Sequence, residues 1–278
     1  MSHLLATDRA TLLRGDSLAI LRTLPDNIAD TVLTDPPYSS GGMTMSARQA
    51  DPAQKYQSTG TKKSYPAMLG DNRDQRSFTL WASLWLSECW RVAKDGARIM
   101  VFTDWRQLPA MTDALQAAGW MWRGIVTWHK PSARPIIGDF RRDAEFVITG
   151  SKGRAAPHTR SCPPGVYRHV VNSARKIHLT EKPVALLEDL LAITAPGPDA
   201  LVLDPFAGSG STGEACLNTR RRYLGIELSH EYGGLAAERL QGILGQDITQ
   251  PHGAAPDAQG DTTGPEEAKP PLHTAAQA

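Results

Sequence analysis

Four consecutive residues, Asp35-Pro36-Pro37-Tyr38, combine groups that could hold an amino-substituted heterocycle. The Asp35 carboxylate and the Pro36 carbonyl could each accept one hydrogen of an –NH₂ group, and the Tyr38 ring could stack on the heterocycle. Residues 31–34 are predicted to form a strand. It must end at the prolines because proline has no backbone N–H to donate to a neighbouring strand. A proline-rich strand exit without chemistry is the simpler alternative, but it leaves the flanking acid and aromatic residue unexplained.

A second segment, residues 204–213, has the composition of a nucleotide-binding turn between a strand and a helix. Gly208, Gly210 and Gly213 match the spacing G-x-G-x-x-G, which lets a ligand approach the backbone at a helix N-terminus. Glu227 ends the next predicted strand, where it could accept hydrogen bonds from a ribose. No lysine stands where a P-loop needs one. Taken alone, the segment predicts a nucleotide or dinucleotide site, as in a nicotinamide-dependent dehydrogenase, and a glycine-rich connection without a ligand is the alternative.

The elements that must position these motifs alternate between strands and helices, as in α/β folds. Seven strands are predicted, at residues 11–13, 31–34, 97–103, 122–128, 145–149, 200–203 and 222–226. Helices are predicted at residues 17–24, 77–92, 109–118, 180–194, 210–217 and 230–244. The expected fold is one α/β sheet with helices on both faces. Trp81 and Trp85 are interpreted as core or dimer-face residues rather than as a base-stacking platform.

The domain organisation follows from composition. Residues 1–244 are predicted to form one domain. Within it, residues 39–76 lack periodicity and are expected to form a long mobile loop. Residues 245–278 contain almost no large apolar residue and are expected to be a disordered tail.

The chain as a whole has a globular composition, with 278 residues, 41% hydrophobic residues and a net charge of +1. No apolar run is long enough to cross a bilayer, and residues 1–5 lack a signal-peptide pattern, so a cytoplasmic location is expected. The three cysteines form no C-x-x-C pair, and no metal site is expected. Residues 120–182 hold twelve basic and four acidic residues, a net charge of +8 that is typical either of a polyanionic partner or of a solvated surface whose acids lie elsewhere.

Together the two motifs resemble those of the amino-directed DNA methyltransferases, which use S-adenosyl-L-methionine. That family carries a D/N/S-P-P-Y/F/W catalytic motif and an F-x-G-x-G cofactor motif. Here the catalytic motif precedes the glycine-rich motif by about 170 residues, with a basic region between them, an order that resembles the β group. The resemblance covers roughly residues 12–244. It implies a Rossmann-like, seven-stranded methyltransferase sheet, with residues 151–177 forming part of the target-recognition region.

The resemblance implies methyl transfer to an exocyclic amine of a flipped-out base in double-stranded DNA. The aspartate of the catalytic motif favours N6 of adenine, and N4 of cytosine is the alternative because both amines present the same geometry. A dehydrogenase and a non-catalytic DNA-binding protein remain less favoured alternatives. The β-group resemblance is also compatible with a homodimer.

The resemblance also implies roles for individual residues. The catalytic residues would be Asp35, Pro36, Pro37 and Tyr38. The cofactor-binding residues would be Asp16, Asp35, Lys182, Asp204, Pro205, Phe206, Gly208, Gly210, Ser211, Thr212, Glu227 and Leu228. Among these, Asp16 would bind the cofactor adenine and Glu227 the ribose. Asp204 would bind the methionine ammonium, directly or through water. The predicted DNA contacts are basic residues, namely Lys62, Lys63, Arg134, Arg141, Arg142, Lys152, Arg154 and Arg160.

Overall fold

The computed structural model describes residues 2–38, 73–133, 135–170 and 181–249. The strands are β1 (Ser2–Ala6), β2 (Ala10–Arg14), β3 (Ala29–Thr34), β4 (Ala93–Thr103), β5 (Met121–His129), β6 (Ala144–Ser151), β7 (Val166–Arg168), β8 (Leu201–Asp204) and β9 (Arg222–Glu227). The helices are α1 (Ser17–Leu21), α2 (Gln75–Val92), α3 (Leu108–Ala117), α4 (Val184–Thr194), α5 (Ser211–Asn218) and α6 (His230–Thr249).

The described strands form one sheet in the order β1-β2-β9-β8-β3-β4-β6-β5-β7. Of these strands, β1 and β6 run antiparallel to the other seven. The expected α/β class is confirmed, but the expected count of seven strands is wrong because β1 and β7 were not predicted. Strand β7 has only three residues and lies in a basic stretch without periodicity, so its pairing with β5 is a tertiary effect that local sequence does not reveal.

Helices cover both faces of the sheet. Val32 on β3 belongs to a core that includes residues of α1, α2 and α3. Leu33, the next residue, points to the other face and belongs to a core formed with α4, α5 and α6. Successive side chains on a strand alternate between faces, and five of the six residues of β3 are buried, so this strand is covered by helices on both sides. This packing fixes the position of Asp35 directly after β3.

Two helix boundaries differ from the predicted ones. Helix α1 begins after Asp16, whose side chain accepts the backbone N–H of Ala19 at 2.9 Å, but it ends at Leu21, three residues early. Helix α6 continues to Thr249 and so extends into the segment that was expected to be a disordered tail. Residues 250–278 and the greater part of the expected loop, residues 39–72, lie outside the described residues. No helix in the described part of the chain is long and apolar enough to cross a membrane.

Candidate active site

The two motifs meet at the carboxyl ends of neighbouring parallel strands. Strands β3 and β8 pair in parallel, with Val32 opposite Leu203. Asp35 therefore follows β3 beside Asp204, the last residue of β8, although the two positions are far apart in the sequence. The hydroxyl of Thr34 joins the strand ends by donating to Oδ1 of Asp204 at 2.7 Å. Ligands of α/β sheets bind at this kind of edge.

A cavity of about 460 Å³ opens at this edge and contains residues of both motifs. Of the predicted catalytic and cofactor residues, those that line it are Asp16, Asp35, Pro36, Pro37, Tyr38, Lys182, Pro205, Phe206, Gly208, Ser211, Thr212, Glu227 and Leu228. Pockets for small molecules commonly have volumes of about 300–1,000 Å³. One cavity can therefore hold a cofactor and present it to the residues of the catalytic motif.

Two neighbours hold the side chain of Asp35 in the part of the cavity that residues 35–38 line. The ammonium of Lys182 lies 2.7 Å from Oδ2 of Asp35, and the hydroxyl of Tyr38 donates to Oδ1 at 2.5 Å. Burial raises the pKa of Asp35 above its ordinary value, because it outweighs the opposing effect of Lys182. The pKa of Tyr38 is well above its ordinary value, owing first to burial and then to the nearby charge of Asp35, so Tyr38 stays a hydrogen-bond donor.

Lys182 also belongs to a larger chain of charges. Its ammonium lies 3.2 Å from Oε2 of Glu145, whose other oxygen accepts from Lys130 at 2.7 Å. Burial would raise the pKa of Glu145, but the two lysines outweigh it, and the pKa lies below its ordinary value. Burial would likewise lower the pKa of Lys182, but Asp35 and Glu145 outweigh it and raise that pKa. We call this series of alternating charges, Lys130–Glu145–Lys182–Asp35, the ion-pair network.

Aromatic rings surround the ammonium of Lys182. It lies 5.3 Å from the ring centroid of Tyr38, 5.2 Å from that of Phe102 and 6.0 Å from that of Trp128. These distances fall within the range of cation–π attraction. The side chain is 6% exposed, so its charge is stabilised by carboxylates and ring faces rather than by bulk water.

The glycine-rich loop and Glu227 form the opposite wall of the cavity. The Glu227 carboxylate accepts the backbone N–H of Gly208 at 2.8 Å and that of Ser229 at 2.7 Å, which fixes both of its oxygens. Burial raises the pKa of Glu227 to about 7 despite these two hydrogen bonds. Gly208 has a φ of +52°, and within the described part of the chain no residue other than its neighbours comes within 4 Å of the position a Cβ would take, so the backbone here leaves space for a ligand.

Two predicted cofactor residues are absent from the described cavity lining. Asp204 is 1% exposed and lies beneath the floor, where it accepts from Thr34 and, at 3.4 Å, from the hydroxyl of Tyr223. Burial raises its pKa to about 6. Its carboxylate is engaged inside the protein, so the expected contact with a cofactor ammonium, directly or through water, stays a prediction, and this geometry favours the contact through water. Gly210 is the N-cap of α5, with a φ of 83° and Ala236 packed closely against it.

Several residues of the cavity were not predicted to be site residues. Glu145 is among them, and its sequence signal is an acid directly before the apolar run of residues 146–148. Trp81, interpreted as a core or dimer-face residue, lines the cavity and packs on Phe206 at a centroid distance of 5.5 Å, whereas Trp85 is fully buried as expected. Trp105 also lines the cavity, and its position in a turn gave no sequence signal.

The predicted DNA contacts divide into four groups. The prediction for Lys152 is wrong, because its ammonium is buried and donates to Oδ1 of Asn27 and to the carbonyl of Ala93, both at 2.8 Å. Arg154 is exposed beside Gly96, at the end of the sheet opposite the cavity. Arg142 lines the cavity, while Arg141 and Arg160 are exposed. Lys62, Lys63 and Arg134 lie outside the described residues.

Comparison with known proteins identifies the family. A family model described as DNA methylase, of the N6/N4 methyltransferase type, matches residues 29–238. The chain belongs to the DNA methylase family. It is 30% identical to YubD of Escherichia coli (strain K12), which carries a methylase name, over 83% of this chain and 90% of that protein. It is 26% identical to the type II methyltransferase M.HpaI of Haemophilus parainfluenzae, over 82% of this chain and 73% of that protein.

Solved structures support the same fold for this DNA methylase. M1.HpyAVI, in a crystal structure named as its SAM complex, is 23% identical, with a TM-score of 0.60 over 83% of this chain and 98% of that one. The PvuII DNA methyltransferase, described as cytosine-N4-specific, is 17% identical, with a TM-score of 0.65 over 89% of this chain and 95% of that one. At these identities the similarity concerns the fold.

Proposed function

We propose that this DNA methylase transfers a methyl group from S-adenosyl-L-methionine to the exocyclic N6 of an adenine that has been flipped out of double-stranded DNA. The observation that carries the proposal is the opening of the Asp35-Pro36-Pro37-Tyr38 segment into the same cavity as the glycine-rich loop and Glu227. A cofactor and a base could therefore bind side by side. The aspartate at the first position of the motif supports adenine.

The residues of the cavity fit the proposed cofactor. The carboxylate of Glu227 is fixed by two backbone N–H groups, and its remaining lone pairs could accept ribose hydroxyls. Trp81 and Phe206 offer ring surfaces to an adenine, and the backbone at Gly208 leaves space for a ligand. Acidic side chains around the cavity suit a molecule that carries a sulfonium and an ammonium. When bound, the cofactor supplies a methyl group activated by the positively charged sulfur.

The catalytic segment would act by orienting the target amine. The lone pair of an aromatic amine is delocalised into its ring, which makes the nitrogen a poor nucleophile. The Asp35 carboxylate and the Pro36 carbonyl would accept its two hydrogens, which favours a tetrahedral nitrogen with its lone pair available for attack. The hydrogen bond to the charged carboxylate would be the stronger of the two. The Tyr38 ring would stack on the base and offset part of the cost of flipping it.

The roles of the chain in this reaction are therefore positioning and electrostatic stabilisation, and they require no covalent enzyme intermediate. The ion-pair network would keep Asp35 ionised within a buried site. N4 of cytosine remains the second candidate, because its amine would present the same two hydrogens to Asp35 and Pro36. A cytoplasmic site of action and a homodimer also remain proposals.

The test is methyl transfer from labelled S-adenosyl-L-methionine to unmethylated genomic DNA, followed by mass spectrometry of the nucleosides. The wild-type protein should produce N6-methyladenine, and Asp35→Ala should abolish transfer while cofactor affinity stays within a few-fold. N4-methylcytosine would overturn the choice of base and keep the mechanism. Wild-type-like turnover by Asp35→Ala would remove that residue from catalysis. A protein that binds no S-adenosyl-L-methionine would refute the proposal as a whole.

A further inference from the structure

The segment between β5 and β6, residues 130–143 with residue 134 outside the described residues, exposes large apolar side chains beside the mouth of the cavity. Ile137 is fully exposed, Phe140 is 86% exposed and Ile136 is 41% exposed. The two ends of the segment reach the cavity, because Lys130 at one end and Arg142 at the other are among its lining residues. The apolar side chains therefore stand next to the site where a flipped base would enter.

The backbone of this segment holds Ile137 at the tip of a turn. The N–H of Asp139 donates to the carbonyl of Ile136 at 3.4 Å, and Gly138 has a φ of +74°, a combination typical of a type II turn. Turn tips ordinarily carry glycine, asparagine, aspartate or serine, so an exposed isoleucine at this position needs a reason. None of the described residues buries Ile137, and a binding partner could do so.

The turn is braced by its neighbours. The Asp139 carboxylate accepts the backbone N–H of Phe140 and pairs with Arg142, each at 2.6 Å. The Arg142 guanidinium in turn lies 5.5 Å from the ring centroid of Trp105. An exposed Phe140 is thus fixed beside a cationic group at the cavity mouth, an arrangement that suits a partner with both apolar and anionic parts.

We propose that Ile137 and Phe140 form a wedge that enters the DNA duplex at the target step and occupies the space that the flipped base leaves. This inference rests on the proposed function. Duplex DNA is the occupant that the charges favour, because Arg141 and Arg142 follow the wedge directly in sequence and could contact the phosphates on either side. Apolar side chains of other DNA-binding proteins are known to enter between base steps in this way and to replace lost stacking.

The test compares two DNA substrates that differ only opposite the target base. The target sequence is first located by sequencing DNA methylated by the wild-type protein. One short duplex then has the target base fully paired, and the other has an abasic site opposite it, so that flipping costs less. Ile137→Ala with Phe140→Ala should lower kcat/KM at least tenfold on the paired duplex and less than threefold on the abasic duplex. Met121→Ala removes an exposed apolar side chain at the far end of the sheet and should match wild type on both duplexes.

The outcomes below would each refute the proposal that Ile137 and Phe140 form a wedge. Equal activity of the double variant and wild type on the paired duplex would show that Ile137 and Phe140 do not contribute to base flipping. An equal loss on both duplexes would indicate a general contribution to binding or folding, which the melting temperature would distinguish. A change in oligomeric state would identify a second copy as the partner. If the wild-type protein methylates neither duplex, the proposed function fails, and the wedge fails with it.

Discussion

The ammonium of Lys182 lies 2.7 Å from Oδ2 of Asp35, although 147 positions separate the two residues in the sequence. Lys182 was expected to contact the cofactor, and its contact with the Asp35 carboxylate, the proposed catalytic group, suggests a second role. A buried carboxylate without a partner would take up a proton, and a protonated Asp35 would be a weaker acceptor for an amine hydrogen. We therefore expect Lys182 to be a positioning residue that keeps Asp35 ionised.

The first prediction concerns Lys182→Gln. Because Lys182 lowers the pKa of Asp35 against the effect of burial, its removal should raise that pKa further. Methyl transfer that needs an ionised Asp35 should then lose activity on the acid side at a higher pH than in the wild type. The measurement is kcat against pH, together with cofactor affinity, which should change only a few-fold if Lys182 acts through Asp35.

Two further variants separate charge from shape in this prediction. Lys182→Arg keeps a positive charge and should recover part of the activity. Lys130→Gln removes a charge that reaches Asp35 only through Glu145 and Lys182, so it should shift the pH profile less than Lys182→Gln does. An unchanged pH profile combined with a large loss of cofactor affinity would assign Lys182 to cofactor binding instead.

How far the sequence predicts this site depends on the range of the interactions. The Asp35-Pro36-Pro37-Tyr38 segment and the glycine-rich loop carry local patterns, and the parallel α/β class places both at the same sheet edge. The meeting of Thr34 with Asp204 was therefore implied by the fold class. The interior position of Asp204 was not implied, because a strand-terminal acid can face either the cavity or the layer beneath it.

The residues that sequence reasoning missed depend on contacts between distant elements. Glu145 of β6 reaches both lysines only when β6 lies beside Lys130, which directly follows β5, and close to Lys182. Lys152 was counted with the DNA-binding residues because net charge along the chain does not reveal burial. Strand β7 was missed for a related reason, since three residues have too little periodicity to predict a strand without their partner β5.

The second prediction separates the hydroxyl of Tyr38 from its ring. Tyr38→Phe removes the 2.5 Å hydrogen bond to Asp35 but keeps the surface on which a base would stack, so turnover should fall only a few-fold. Tyr38→Ala also removes the ring. Base stacking on an aromatic side chain contributes about 1–3 kcal/mol, so kcat/KM on DNA should fall roughly ten- to a hundredfold. Equal losses in both variants would place the contribution in the hydroxyl.

The third prediction concerns basic residues that were grouped together by sequence. Lys152→Met should lower the free energy of unfolding by about 1–3 kcal/mol, because Asn27 and the Ala93 carbonyl lose their donor. Its DNA affinity and the salt dependence of that affinity should not change. The combined variant of Arg141→Ala and Arg142→Ala should weaken DNA binding and reduce the slope of log K against log salt by about 1–2.

Arg154→Ala is the matched control for this comparison, because Arg154 is an exposed basic residue at the end of the sheet opposite the cavity. It should change neither the unfolding free energy nor the salt slope appreciably. Chemical denaturation gives the first quantity, and fluorescence anisotropy of a labelled duplex at several salt concentrations gives the second. A reduced salt slope for Lys152→Met in a folded protein would restore that residue to the DNA interface.

The last prediction concerns the pH dependence of cofactor binding at Glu227. Its pKa is about 7 because of burial, so about half of the protein carries a neutral Glu227 at that pH. Ribose hydroxyls donate to the ionised form, which means that binding should favour the carboxylate and that affinity should fall as the pH drops below 7. The dissociation constant should approach a tenfold rise per pH unit on the acid side and level off above pH 8, as measured by calorimetry.

Two variants test whether this pH dependence belongs to Glu227. Glu227→Gln keeps the shape of the side chain without the titration, so its dissociation constant should be nearly independent of pH between 6.5 and 8. Glu227→Ala should weaken binding tenfold or more at pH 8, in line with a lost charge-assisted bond of about 1.5–3 kcal/mol. Asp204, with a pKa of about 6, would contribute chiefly at lower pH and is engaged beneath the cavity floor. A Glu227→Gln variant that keeps the full acid-side loss of affinity would transfer the titration to another group, with Asp204 the first to examine.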